Sequence, residues 1–189
     1  MRLGPAHRTV SRNADPDNSG VFTPGITRRQ GMGLLLGGVA FAASGFLACS
    51  RAGSTAPPFA TTTQYGRVLR NEDFRGRTLL LNLWATWCPH CRSQLAAMDQ
   101  IASSYAAGRV SFLALSIDRE GWNVVRPYLA ETGFSLSVGL ADRATQRAYG
   151  ASGGIPITWV IDPSGIVVTD IPGALDAQSL REVIDQYAG

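Results

Sequence analysis

The chain has 189 residues, with 17 Lys+Arg against 14 Asp+Glu, three cysteines and 45% hydrophobic residues. That length suits one globular domain with its own core and not two full domains. The apolar share excludes a wholly disordered chain, and the 31 Gly and Pro residues argue against a coiled coil. All 17 basic residues are Arg, which excludes a lysine Schiff base and a phosphate loop ending in Gly-Lys-Ser/Thr.

The net charge of +3 is not spread along the chain. Residues 1–48 hold five Arg and two Asp, which is the whole excess, and from Cys49 onward 12 Arg face 12 acids. The folded part is therefore neutral, and nothing in it calls for nucleic acid.

Residues 1–30 are polar and aperiodic, and residues 31–48 carry no charge in eighteen positions. A basic run, an apolar stretch and small residues before a break form the layout of an export signal, so residues 1–48 are read as one. Its front edge, Thr27-Arg28-Arg29-Gln30, resembles a twin-arginine signal, with Gly31 where a large apolar residue is usual. Its end, Phe46-Leu47-Ala48-Cys49, resembles a bacterial lipoprotein signal in which Cys49 would carry the lipid, with Phe46 in the usual place of Leu. An uncleaved membrane helix and ordinary cleavage are the alternatives, and all three outcomes put the rest of the chain outside the cytoplasm. Residues 49–60 are small, Pro-containing and aperiodic, which reads as a tether ahead of a domain over 61–189.

Residues 77–84 (RTLLLNLW) form a nearly unbroken apolar run, as a strand buried on both faces would. Residues 89–107 read as a helix, opened by Pro89, striped by Leu95, Met98, Ile101 and Tyr105, and ended by Gly108. A second buried strand follows over 110–117, then a helix over 123–132 that Pro127 kinks or restarts. A short strand at 136–140 and a short helix at 143–149 come next. Residues 157–161 and 166–171 flank Asp162-Pro163-Ser164-Gly165, a strong turn sequence, and form a hairpin. Residues 176–187 close the chain as a helix with Leu180, Val183, Ile184 and Tyr187 on one face. Strands alternating with helices, then a hairpin and a last helix, predict an α/β sandwich with mixed strand directions. Asp118, Asp142 and Asp162 at strand ends read as turn and cap residues, and Trp84 and Trp159 as core.

The chemistry sits at Trp87-Cys88-Pro89-His90-Cys91. A C-x-x-C at a helix N-terminus meets unpaired backbone N–H groups and the positive end of the helix dipole, both of which favour thiolate. His90 adds potential positive charge, and the spacing brings both sulfurs within bonding distance across one turn. Cys88 is expected to be exposed and nucleophilic, and Cys91 buried and resolving. Haem attachment would need His at position 92, which is Arg. A structural zinc site would need four ligands, and the other histidine, His7, lies in the leader. A purely structural disulfide is the remaining alternative.

These residues resemble the thioredoxin superfamily and, within it, the membrane-tethered TlpA/ResA-like thiol–disulfide proteins. The likeness rests on Asn82-Leu83-Trp84-Ala85-Thr86-Trp87-Cys88-Pro89-His90-Cys91-Arg92 and on Gly154-Ile155-Pro156-Ile157-Thr158-Trp159-Val160-Ile161-Asp162 with Gly165. It implies a thioredoxin-like three-layer α/β/α sandwich with a mixed central sheet and one extra αβ element around residues 123–132. It also implies a cis Pro156 facing the disulfide, an Ile155 backbone free to pair with an incoming peptide, and Trp87 bordering the partner groove. Thioredoxin's buried Asp is Asn82 here, as is common in the TlpA/ResA branch. That branch often has Glu three residues after the second cysteine and then Pro; here Gln94 is followed by Leu95-Ala96, so neither proton-shuttling carboxylate is present.

The resemblance implies an exported, membrane-tethered enzyme exchanging disulfides with protein thiols, its domain facing the periplasm or the cell exterior. It needs no cofactor, acts as a monomer and is recharged by an upstream membrane electron donor. A reducing version would serve cytochrome c maturation or metal-site assembly. The Pro89-His90 pair is similar instead to DsbA-like protein oxidants. A Cu(I)-binding assembly factor is a further alternative, since soft thiolates suit that ion. The single peroxidatic cysteine of a peroxidase is not present.

Overall fold

The computed structural model describes residues 53–105 and 108–188. Two long strands, β3 (Thr78–Trp84) and β4 (Val110–Ser116), lie side by side in parallel at the centre, and every residue of both is buried. Their alternate residues feed two cores. Leu80 and Trp84 face one and Leu79, Leu81 and Leu83 the other, which is why the sequence shows a run and not an alternation.

The sheet is completed by β5 (Ser137–Leu140), β6 (Ile157–Ile161) and β7 (Val167–Pro172) in the order β5-β4-β3-β6-β7. β5 runs parallel to β4, while β6 is antiparallel to β3 and to β7. The β6–β7 turn closes as expected, with the Gly165 N–H donating to the Asp162 carbonyl at 2.9 Å. One core packs under α1 (Pro89–Ala102), α2 (Trp122–Thr132) and α4 (Ala177–Tyr187), through Leu95, Met98, Ile101, Val125, Leu129, Leu180 and Ile184. The opposite core lies under the short α3 (Arg143–Ala148) and the N-terminal segment. Three layers around a mixed sheet are the expected thioredoxin-like α/β architecture.

Several boundaries differ from the sequence expectation. The stretch read as tether is partly folded from Gly53 on. Thr55 bridges to Ile166, the Gly53 N–H donates to the Val167 carbonyl at 2.7 Å, and Ala56 and Phe59 are buried. A small antiparallel pair, β1 (Ala60–Thr62) and β2 (Val68–Arg70), was not foreseen. Three-residue strands carry too little periodicity to be read, and β1 is held by a distant partner. The Thr61 hydroxyl bonds both the N–H and the C=O of Leu140 at 3.0 Å, and a Cβ on Gly139 would collide with the Thr61 side chain. The first helix ends at Ala102 and passes into a 3₁₀ turn over Ser103–Tyr105, as serines that compete for backbone hydrogen bonds favour. α2 runs continuously through Pro127, whose ring side is exposed, at the cost of one backbone bond.

Asp142 and Asp176 cap α3 and α4, accepting from the Thr145 and Ser179 N–H groups at 2.7 and 2.8 Å. The Thr145 and Ser179 donors hold the two carboxyls below the usual carboxylate range. Burial pushes Asp162 upward, but donors from Ser164, Ile166 and Gly165 outweigh it and the net shift is down. A carboxyl whose folded pKa lies below its unfolded value stabilises the fold above the unfolded pKa, and loses that contribution as pH falls through the folded one. The urea midpoint is therefore expected to stay flat from neutral pH to about 5 and to fall below about pH 4. A D142N/D162N variant is expected to show a shallower acid limb; an unchanged limb would show that these two carboxyls do not contribute.

Candidate active site

β3 delivers the chain to the redox site. It ends at Trp84, and four residues later Cys88 stands at the N-cap of α1 with Pro89 as first helical residue. The Cys91 N–H donates to the Cys88 sulfur at 3.2 Å, so one orphan donor of the helix start is aimed at that atom. Cys88 and Cys91 form a disulfide with Cα atoms 5.3 Å apart. Cys88 keeps 7% of its surface and Cys91 none, which is the order of an attacking and a resolving sulfur. Cys88 is itself buried, however, and not exposed as expected, because it packs into the core under the start of α1.

The second motif arrives from the other side. The Ile155–Pro156 bond is cis, and the Ile155 carbonyl oxygen lies 3.9 Å from the Cys88 sulfur. Among the described residues neither the N–H nor the C=O of Ile155 makes a backbone hydrogen bond. Trp87, 65% exposed, and the exposed His90 border the sulfur. Cys88, Cys91, Trp87, Pro89, His90, Ile155 and Pro156 thus come together at one end of the sheet. Cys49, the expected lipid site, lies outside the described residues.

Two arrangements escaped the sequence reading. Asp118 is more than a turn residue, because it anchors the loop that carries the cysteines. Its carboxylate accepts from the Thr86 N–H at 3.0 Å, the Thr86 hydroxyl at 2.7 Å and the Ser116 hydroxyl at 2.7 Å. Parallel pairing of Trp84 with Ser116 puts Asp118 level with Thr86, a relation visible only once the register is known. The second is a buried cluster under α1. Asn82 Nδ2 donates to the Ile157 carbonyl and the Thr158 hydroxyl, each at 3.2 Å, and Gln94 Nε2 donates to the same hydroxyl. Gln94 Oε1 accepts from the Leu175 N–H at 3.3 Å, so this residue ties α1 to β6 and to the approach of α4. Its carboxamide does not titrate, so it positions the helix and carries no proton. Asn82 Oδ1 and Trp84 Nε1 are buried without hydrogen-bond partners.

The AhpC/TSA family matches residues 52–169, more than half of the chain. The thiol–disulfide oxidoreductase ResA of Geobacillus thermodenitrificans is 31% identical over 135 residues, covering 70% of this chain and 76% of that protein. ResA of Geobacillus kaustophilus is 32% identical over 140 residues, with the same coverage of both. Among solved structures, a thioredoxin-family thiol:disulfide interchange protein from Chlorobium tepidum superposes with a TM-score of 0.64 at 28% identity, over 71% of this chain and 96% of that one. With these likenesses, and with its own C-x-x-C disulfide at a helix start, the chain belongs to the AhpC/TSA family and is a thioredoxin-like thiol–disulfide oxidoreductase.

Proposed function

We propose that the enzyme is exported, tethered to the membrane through Cys49 or an uncleaved leader, and reduces disulfides in polypeptide substrates. The observation that carries this reading is the unequal pair facing an open backbone: Cys88 on a helix N-cap with 7% of its surface exposed, Cys91 sealed beneath it, and alongside them the Ile155 peptide, which makes no backbone–backbone hydrogen bond among the described residues. In the reduced enzyme the Cys88 thiolate attacks one sulfur of the substrate disulfide, forming a mixed disulfide and releasing the first substrate thiolate. The Cys91 thiolate then attacks the Cys88 sulfur and releases the second. The substrate gains two electrons and two protons, and the enzyme is left as the Cys88–Cys91 disulfide described above. Substrate backbone pairs with Ile155 N–H and C=O, and Trp87 lines its path. A membrane electron donor returns the enzyme to the dithiol, and the products are thiols for cytochrome c maturation or metal-site assembly. Among the described residues no helix is long and apolar enough to cross a membrane.

Acid quenching of growing cells of the native host, followed by alkylation, tests the direction. The reductant reading predicts that Cys88 and Cys91 stand mostly as thiols at steady state, in a membrane-associated protein. A pair found mostly as the disulfide would overturn it in favour of an oxidant.

A further inference from the structure

A groove of about 630 Å³ is built on loops that also lead to the redox site, with Asp118 and Asp142 in its wall and Arg119, Arg143 and Arg147 around it. It is bounded by the two segments that converge on the disulfide. Asp118 grips Thr86, two residues before Cys88, and Ser152, another lining residue, belongs to the turn that leads into Ile155-Pro156. The groove is thus joined by one loop to the cysteines and by another to the Ile155 edge where a substrate strand would pair.

The charge of the groove is unbalanced. All three guanidinium groups are on exposed residues, and among the described residues none forms an ion pair. The two carboxylates are already engaged inward. Asp118 accepts three hydrogen bonds from Thr86 and Ser116, and Asp142 caps α3, with Arg147 near enough to help keep it ionised. Arg143 and Arg147 stand four apart on one short helix, a like-charge spacing that slightly weakens the helix. The domain is otherwise neutral, with 12 Arg and 12 acids from Cys49 on, so this is a local concentration and not an overall bias. Helix stability gives no reason for it, and complementarity to an anionic substrate does.

We propose that this groove receives a carboxylate-bearing stretch of the substrate polypeptide, so that the enzyme selects cysteines flanked by Asp or Glu. The inference rests on the reading that substrates are polypeptides. The bond chemistry at Cys88 is unchanged; the arginines act on encounter and on the register of the bound strand.

The test compares reduced enzyme acting on two cyclic peptide disulfides of one sequence, flanked either by Asp-Glu or by Ser-Gln, with uncharged hydroxyethyl disulfide and glutathione disulfide as small substrates. At low ionic strength kcat/KM is expected to favour the acidic peptide by about tenfold, and this advantage should shrink as salt screens it. In an R119Q/R143Q/R147Q variant the preference should fall to about unity, while the hydroxyethyl disulfide rate, which reports an intact fold and redox pair, stays the same. An R119E/R143E variant provides a second arm, with Glu at the first turn of α3 suiting the helix dipole. It should invert the preference toward a peptide flanked by basic residues. Equal rates for both peptides in the wild type, or a preference that survives in the glutamine variant, would overturn the groove and leave polypeptide reduction standing. A preference for glutathione disulfide over hydroxyethyl disulfide, with none between the peptides, would overturn it in favour of a small anionic disulfide. Reaction with the small disulfides but with neither peptide would sink polypeptide reduction itself, and the groove with it.

Discussion

A Cys91→Ala enzyme is expected to stop after half a turnover, holding its substrate as a mixed disulfide on Cys88, while Cys88→Ala forms no adduct. The reason is the difference in access and electrostatics between the two sulfurs. Cys88 keeps a small accessible edge, 7% of its surface, and receives the Cys91 N–H at the positive end of α1, whereas Cys91 has no exposed surface under the same turn. An incoming disulfide can align with Cys88 beside Ile155 and has no path to Cys91. Intact-mass spectrometry after incubation with a peptide disulfide reads both variants directly. Steady-state turnover should drop to background in each, because removing either partner breaks the two-electron cycle. Adducts forming through Cys91 in the Cys88→Ala enzyme would reverse the assigned roles.

Leu81→Ala is expected to cost about 2–5 kcal/mol of stability. Leu81 sits on the central strand with no exposed surface, paired across to Leu113 on β4 and to Trp159 on β6. Strands on both sides and covering segments above leave little room for the vacated volume to collapse, so a cavity term adds to the lost burial. For a unit of this size the melting temperature should fall by roughly 10 °C. Val68→Ala on β2, where the side chain is 48% exposed, is the control and should change stability by no more than about 0.5 kcal/mol. Equal losses for the two would mean that the stability does not reside in the sheet core.

The sequence made the central sheet legible because burial on both faces leaves a direct mark. Leu79 to Trp84 and Val110 to Ser116 read as runs, and the hairpin announced itself through Asp162-Pro163-Ser164-Gly165. The redox pair was legible for a similar reason. A C-x-x-C with Pro after its first cysteine, directly following a buried strand, leaves few structural alternatives. What was hidden depends on residues brought together from far apart. Thr61 on Leu140, Asp118 on Thr86 and Gln94 on Thr158 are each 32 or more positions apart in sequence. No local pattern encodes them, because each follows from strand register or helix docking. The cationic groove is of the same kind, since Arg119 comes from the β4–α2 loop and Arg143 and Arg147 from α3. The neutral total over the domain concealed it. The folded start at Gly53 was obscured by composition: Ala56 and Phe59 are two apolar residues in a stretch of small and Pro residues, too few to show a period.

The central claim is that Cys88–Cys91 is a working redox couple and not a structural staple. Equilibrating the protein in dithiothreitol buffers of graded potential, then counting alkylated thiols at positions 88 and 91, tests it most directly. The account predicts one two-electron transition above about −300 mV, near −270 mV for a reductant and near −120 mV for an oxidant. A pair that stays oxidised well below about −300 mV would contradict it, because that is how a structural disulfide behaves.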